Sequence, residues 1–111
     1  MKWEVKYLPE ALEDLKGLAG NQRLLVSKAI RKVAQNPLPM SEGGYGKPLG
    51  NHGGNHLSGL MKIKLRDDGL RIVYALMRIE GNMVVVVIGA REDDEVYEAA
   101  QKRLNGRELN P

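Results

Sequence analysis

Apolar residues along the chain switch between a spacing of two and a spacing of three to four, and the switches mark out seven elements. Residues 2–7 alternate, with Trp3, Val5 and Tyr7 on one face, which predicts a short first strand. Pro9 stands where helices begin, because its missing N–H has no intrahelical partner there in any case. Glu10 and Glu13 suit the positive end of a helix dipole. Leu12, Leu15, Leu18 and Ala19 then recur at helical spacing and predict an amphipathic helix over 9–19. Gly20-Asn21 stops it, and Asn21 is a suitable cap for the next helix. From Gln22 to Gln35 the set Leu25, Val26, Ala29, Ile30 and Val33 continues the helical period, until Asn36-Pro37 ends it.

Residues 36–56 follow neither period. They hold three prolines and six glycines among polar residues, which predicts a long surface loop. Strict alternation returns at Met61-Lys62-Ile63-Lys64-Leu65-Arg66, followed after Asp67-Asp68-Gly69 by Leu70-Arg71-Ile72-Val73-Tyr74. These read as two strands joined by a tight turn, with Met61, Ile63 and Leu65 on one face and Lys62, Lys64 and Arg66 on the other. After a turn at Glu80-Gly81-Asn82, Met83 to Ile88 is apolar throughout. A run without alternation predicts a strand covered on both faces, and so central in its sheet.

Asp93 is a suitable N-cap, with Asp94 and Glu95 in the first turn of a helix over 94–104. The apolar stripe of that helix, Val96, Ala99, Ala100 and Leu104, is mostly small, which predicts weak docking. Asn105-Gly106 ends it, and 105–111 reads as a loose tail. The order is β-α-α-β-β-β-α. It predicts an α+β fold: an antiparallel sheet with a helical hairpin on one face and a C-terminal helix near the other. Residues 1–111 read as a single domain.

Composition adds limits. The formal net charge is +3, too small by itself to argue for nucleic acid, but its distribution is uneven. Residues 57–78 carry five cations against two acids, whereas Glu92-Asp93-Asp94-Glu95 is wholly acidic. The chain has no cysteine, so disulfides and thiolate metal sites are excluded. No apolar run approaches the roughly 20 residues of a membrane helix, and Met1-Lys2-Trp3-Glu4 is no apolar signal segment. A cytoplasmic location is expected, with no membrane partner.

Cations in a row on an open sheet face repel each other and gain nothing from the core. A phosphodiester is the natural partner. If the last strand pairs beside the hairpin, Lys62, Lys64, Arg71, Arg91 and Tyr97 can converge on one shallow basic groove; equally, they can be solvated surface cations and a half-buried tyrosine. RNA supplies its own nucleophile in the 2′-hydroxyl. Its cleavage needs a base, positive charge on the phosphorane and an acid for the departing 5′-oxygen. Crowding by like charge disfavours the charged form of an amine, which makes Lys64 a conceivable base. Tyr97 is placed to stack on a base or orient the sugar. His52 and His56, in the glycine-rich stretch, are an alternative acid–base pair or simply solvated loop residues.

Lys62-Ile63-Lys64-Leu65-Arg66, the following Gly69-Leu70-Arg71-Ile72-Val73-Tyr74, the valine-rich strand, Gly89-Ala90-Arg91-Glu92 and Glu95-Val96-Tyr97 closely resemble the RelE branch of the RelE/ParE toxin superfamily. The opening Leu8-Pro9-Glu10-Ala11-Leu12 and Leu57-Ser58-Gly59-Leu60 are similar to it as well. The resemblance covers residues 2–104 in element order and is most specific over 57–103.

The resemblance implies a toxin of a type II toxin–antitoxin system, an endoribonuclease that cuts mRNA in the ribosomal A site. The 2′-hydroxyl attacks in line, a 2′,3′-cyclic phosphate is left, and neither metal nor cofactor takes part. Carried over by motif, Lys62 stabilises charge, Lys64 is the base, Arg71 binds the phosphate, Arg91 assists the leaving group and Tyr97 stacks on or orients the nucleotide. Arg66 and Lys47 are implied contacts to RNA of the substrate or ribosome. The implied partners are a cognate antitoxin, the ribosome and mRNA, with a monomeric free toxin that forms a hetero-oligomer with its antitoxin. The chain departs from the pattern before its second strand, where the segment is longer and Leu49-Gly50 stands in place of a basic residue and glycine. Two alternatives share the fold: a ParE-like inhibitor of DNA gyrase, and an inactive relic that only binds antitoxin.

Overall fold

The computed structural model describes residues 3–49, 51–52, 55–56, 60–66, 69–90 and 93–105. The chain opens with β1 (Glu4–Tyr7), then α1 (Pro9–Lys16) and α2 (Gly20–Val33). A 3-10 turn (Met40–Glu42) and three two-residue strands follow: β2 (Lys47–Pro48), β3 (Asn51–His52) and β4 (Asn55–His56). The long strands β5 (Leu60–Leu65), β6 (Leu70–Met77) and β7 (Asn82–Gly89) precede the last helix, α3 (Asp93–Leu104). The main sheet has the order β1-β7-β6-β5-β2.

This is the expected α+β order, with one change in the sheet. β5, β6 and β7 form an antiparallel meander, but β1 pairs parallel to β7, so the sheet is mixed. Between those two strands lie the helical hairpin, the short strands and β5–β6, which carry the chain across rather than through a tight hairpin turn. β7 is flanked by strands on both edges, and Met83 to Ile88 are all buried, as an unbroken apolar run requires.

The helices keep their predicted faces in part. Ala11, Val26, Ile30 and Val33 are buried, whereas Leu12 and Leu25 are exposed. Asn21 does not cap α2. The helix begins two residues earlier, at Gly20, and Gln22 Oε1 accepts from the N–H of Ala19 at 3.3 Å. Arg23 holds the break between the helices by donating to the carbonyls of Lys16 (3.3 Å) and Leu18 (3.2 Å).

The stretch 36–56, expected to be a long loop, contains ordered turns and the edge strand β2. Tyr45 N–H donates to Asn36 C=O, Gly46 N–H to Leu38 C=O and Met40 N–H to Gly46 C=O, each at 2.9 Å. The buried Tyr74 hydroxyl donates to Pro37 C=O at 2.8 Å and ties this compact turn to β6. Two glycines serve close packing here. A Cβ on Gly44 would meet the Leu38 carbonyl oxygen at 2.0 Å, and one on Gly46 would meet the Tyr74 hydroxyl at 2.6 Å. Turn composition therefore encodes a folded-back segment rather than a free one. On its surface Arg78 makes two bonds to Glu42, 2.9 and 2.7 Å, and these hold the Glu42 carboxyl below its ordinary range.

The C-terminal helix is anchored better than its small residues suggest. Arg103 Nη1 and Nη2 donate to the two Asp14 carboxylate oxygens at 2.6 and 3.1 Å. Both side chains are mostly buried, 16% and 15% exposed. Pairing of β1 with β7 ends at Tyr7–Val85; beyond it Asp14 Oδ2 accepts from Ile88 N–H (3.0 Å), and Arg103 Nη1 donates to Val86 C=O (2.9 Å). A bulge lies alongside: Val73 faces Val87 and Tyr74 faces Val85, so Val86 has no opposite residue on β6. The ion pair thus joins α1 to α3 and satisfies backbone groups of β7 past the end of β1.

Candidate nucleic-acid interface

Pairing on the open face of the sheet brings the cations together. On β5 the period of two puts Lys62 and Lys64 on the same face. Lys62 is the register partner of Lys47 on β2, and Lys64 is the partner of Arg71 on β6. Directly opposed residues share a face, so Lys47, Lys62, Lys64 and Arg71 form two adjacent rungs of positive charge. Lys47, Lys64 and Arg66 are exposed; Lys62 and Arg71 are half-buried.

Below the rungs, a shallow cavity of about 320 Å³ is lined by Lys64, Leu65, Arg66, Gly69, Leu70 and Arg71. Gly69, with φ +64°, closes the turn between β5 and β6 in a backbone region that other residues rarely adopt. Asp67 and Asp68 of that turn lie outside the described residues.

α3 covers the β6–β7 side of the face, where Val96, Tyr97 and Ala100 are buried. The Lys62 ammonium donates to the Tyr97 hydroxyl at 3.3 Å and stands 6.0 Å from the ring centroid. Tyr97 is 1% exposed, more buried than the half-buried or stacking tyrosine expected. Positions 96, 97, 100 and 104 form one helical stripe, so Tyr97 lies within it and not beside it. In this conformation its ring offers no face to a nucleobase; its hydroxyl reaches the site through Lys62.

Of the expected site residues, Lys62, Lys64, Arg71 and Tyr97 lie around one region, with Arg66 at the end of β5 and Lys47 on the edge strand. Arg91 lies outside the described residues, two positions beyond Gly89, which is the register partner of Arg71. His52 pairs with Asn55 and Asn51 with His56, so the histidines are not register partners, and their side chains lie outside the described ones. Among the described residues, no group of three or more His, Cys, Asp or Glu could hold a metal ion, and no helix is long and apolar enough to cross a membrane.

No protein-family model matches the chain. In sequence it is similar to a RelE-like toxin protein of Escherichia coli, 29% identical over 108 residues that cover 94% of this chain and 99% of the relative. It is 28% identical over 104 residues to the mRNA interferase toxin RelE of Escherichia coli strain K12, with the same shares covered. In fold it matches a doubly substituted E. coli RelE toxin in the free state, with TM-score 0.73, 26% identity and coverage of 94% of this chain and 99% of that one. In sequence and in fold the chain is similar to RelE toxins. The intact E. coli RelBE toxin–antitoxin complex shares the fold at TM-score 0.65 and 23% identity, over 81% of this chain and 98% of that one. The RelE-like fold carries the two cationic rungs on the face that α3 leaves open.

Proposed function

We propose that this RelE-like protein is the toxin of a type II toxin–antitoxin system and a metal-independent endoribonuclease that cleaves mRNA in the ribosomal A site. The observation that carries the reading is the pairing of Lys64 with Arg71 above the cavity, beside the Lys62–Tyr97 contact. A phosphodiester seated there meets fixed positive charge where the phosphorane develops negative charge. Lys64 draws the proton from the 2′-hydroxyl. Its oxygen attacks phosphorus as the bond to the 5′-oxygen breaks, leaving a 2′,3′-cyclic phosphate and, after protonation, a 5′-hydroxyl. Lys62 and Arg71 stabilise the non-bridging oxygens, and Arg91 assists the leaving oxygen. Tyr97 acts through its hydroxyl, holding the Lys62 ammonium in place. Arg66, at the rim of the cavity, contacts flanking RNA of the message or ribosome.

The names of the similar proteins support this reading: a relative is called an mRNA interferase toxin, and a structure of the same fold holds toxin and antitoxin together. The proposed partners are accordingly a cognate antitoxin, the ribosome and mRNA, and the site of action is the cytoplasm.

Induced expression with mapping of RNA ends tests the proposal. New 5′ ends within codons of translated messages are expected, whereas DNA breaks with intact mRNA would mean gyrase poisoning. Lys64→Ala and Arg91→Ala should each lower cleavage by about 10²–10⁴, the usual contribution of general acid–base groups. Cleavage should survive chelation of transition metals when the Mg²⁺ that holds ribosomes together is maintained.

A further inference from the structure

Lys47 stands directly opposite Lys62, one rung along the ladder from Lys64 and Arg71. Like charges directly opposed across a sheet are destabilising, and here two neighbouring rungs carry them. Pro48 follows Lys47 at the outer edge of the sheet, where a residue without an N–H is tolerated. The position of Lys47 is fixed from both sides. Upstream, Gly46 is buried against the Tyr74 hydroxyl; downstream, Leu49 is buried and its N–H donates to Leu60 C=O at 3.1 Å. Lys47 itself is exposed, so an open cation sits on an anchored backbone.

The two rungs are separated along β5 by two residues, about 6.8 Å at the usual rise of a strand. That is comparable to the step between consecutive phosphates of an extended single strand. Lys62 leans toward Tyr97, on the α3 side of its rung, which leaves Lys47 as the outer cation of the pair. We propose that Lys47 binds a second phosphate, adjacent to the one held by Lys62, Lys64 and Arg71. The site then engages a two-phosphate step of single-stranded RNA running along β5, with Lys47 as a substrate-binding residue. This deepens the endoribonuclease reading and rests on it for the identity of the strand.

Two short oligonucleotides test it, both with 2′-deoxyribose so that no attack is possible. One is a dinucleoside monophosphate, with one internal phosphate, and the other a trinucleoside diphosphate, with two. Binding is followed by chemical-shift titration over a range of salt. The protein should bind the trimer at least about fivefold more tightly, and the slope of log K against log salt should steepen by about 0.7 for the extra phosphate. Lys47→Met should bind both oligonucleotides like the parent binds the dimer, with no added salt slope. The proposal is overturned if Lys47→Met keeps the preference for the trimer, if it loses dimer and trimer affinity equally, or if neither oligonucleotide binds the parent. Cleavage of ribosome-bound message by the parent, measured alongside, reports separately on the endoribonuclease reading.

Discussion

At the scale of single residues, the contact between Lys62 and Tyr97 has the most direct consequence. A lysine is a flexible point charge, and a fixed acceptor at 3.3 Å narrows where that charge points. Tyr97→Phe keeps the buried ring and removes only the acceptor. It should change stability by no more than about 1 kcal/mol, while cleavage falls and KM changes little. Tyr97→Ala opens the space under α3 and should cost roughly 3–5 kcal/mol. Urea titration beside single-turnover cleavage checks both; a Tyr97→Phe protein with parental cleavage would remove the positioning role. The alternation of Lys62 and Lys64, and the turn that brings Arg71 opposite, are legible in the sequence because both follow from a period of two. Tyr97 was harder to read. Its helical stripe was visible, but a tyrosine at that position suits a packed or an open surface, and only the docked helix decides.

At the scale of elements, the segment before β5 behaves as a part of the fold. Burial holds the Tyr74 hydroxyl well above its ordinary pKa of 10.0, because a phenolate has no place beside a carbonyl oxygen in the core. The unfolded chain therefore ionises first as pH climbs past 10. The stability tied to this proton is complete below that point and declines above it, by about 1.4 kcal/mol per pH unit. Tyr74→Phe should remove that share of the alkaline decline, at the expense of an unmet Pro37 carbonyl that lowers stability near neutral pH by about 1–3 kcal/mol. Urea midpoints between pH 8 and 11 would show it, and an unchanged alkaline slope would contradict the burial argument. The sequence hid this element because glycine and proline mark compact turns and free loops alike. What distinguishes them is a partner 37 residues away in the chain.

At the scale of the whole molecule, Asp14 and Arg103 are the clamp. Neither was visible in sequence: they are 89 residues apart, and each sits on a helix among charges that look solvated. The overall order of elements was legible because each has a local period. The parallel placement of β1 was not, since long connections leave strand direction open. Asp14→Asn leaves the Arg103 charge mostly buried without its counter-ion and should cost about 3 kcal/mol. Asp14→Leu combined with Arg103→Met should recover part of that loss, although Ile88 N–H and Val86 C=O remain unmet. Denaturant midpoints of the singles and the double decide; singles within about 0.5 kcal/mol of the parent, the usual range of surface changes, would mean that the clamp contributes little.

β1, made first, has β7 as its neighbour in the sheet, and Asp14 meets its counter-ion on the last helix. Synthesis runs from the N-terminus, so the leading strand and helix emerge with their partners still untranslated. The sheet cannot close until Gly89 has left the ribosome, nor the clamp until Arg103 has. Closing contacts between distant parts of a chain are also the slow ones in folding. The architecture therefore acts as a timer on its own chemistry: Tyr97, which meets Lys62 on the cationic face, joins the chain only after every strand of the sheet has been made.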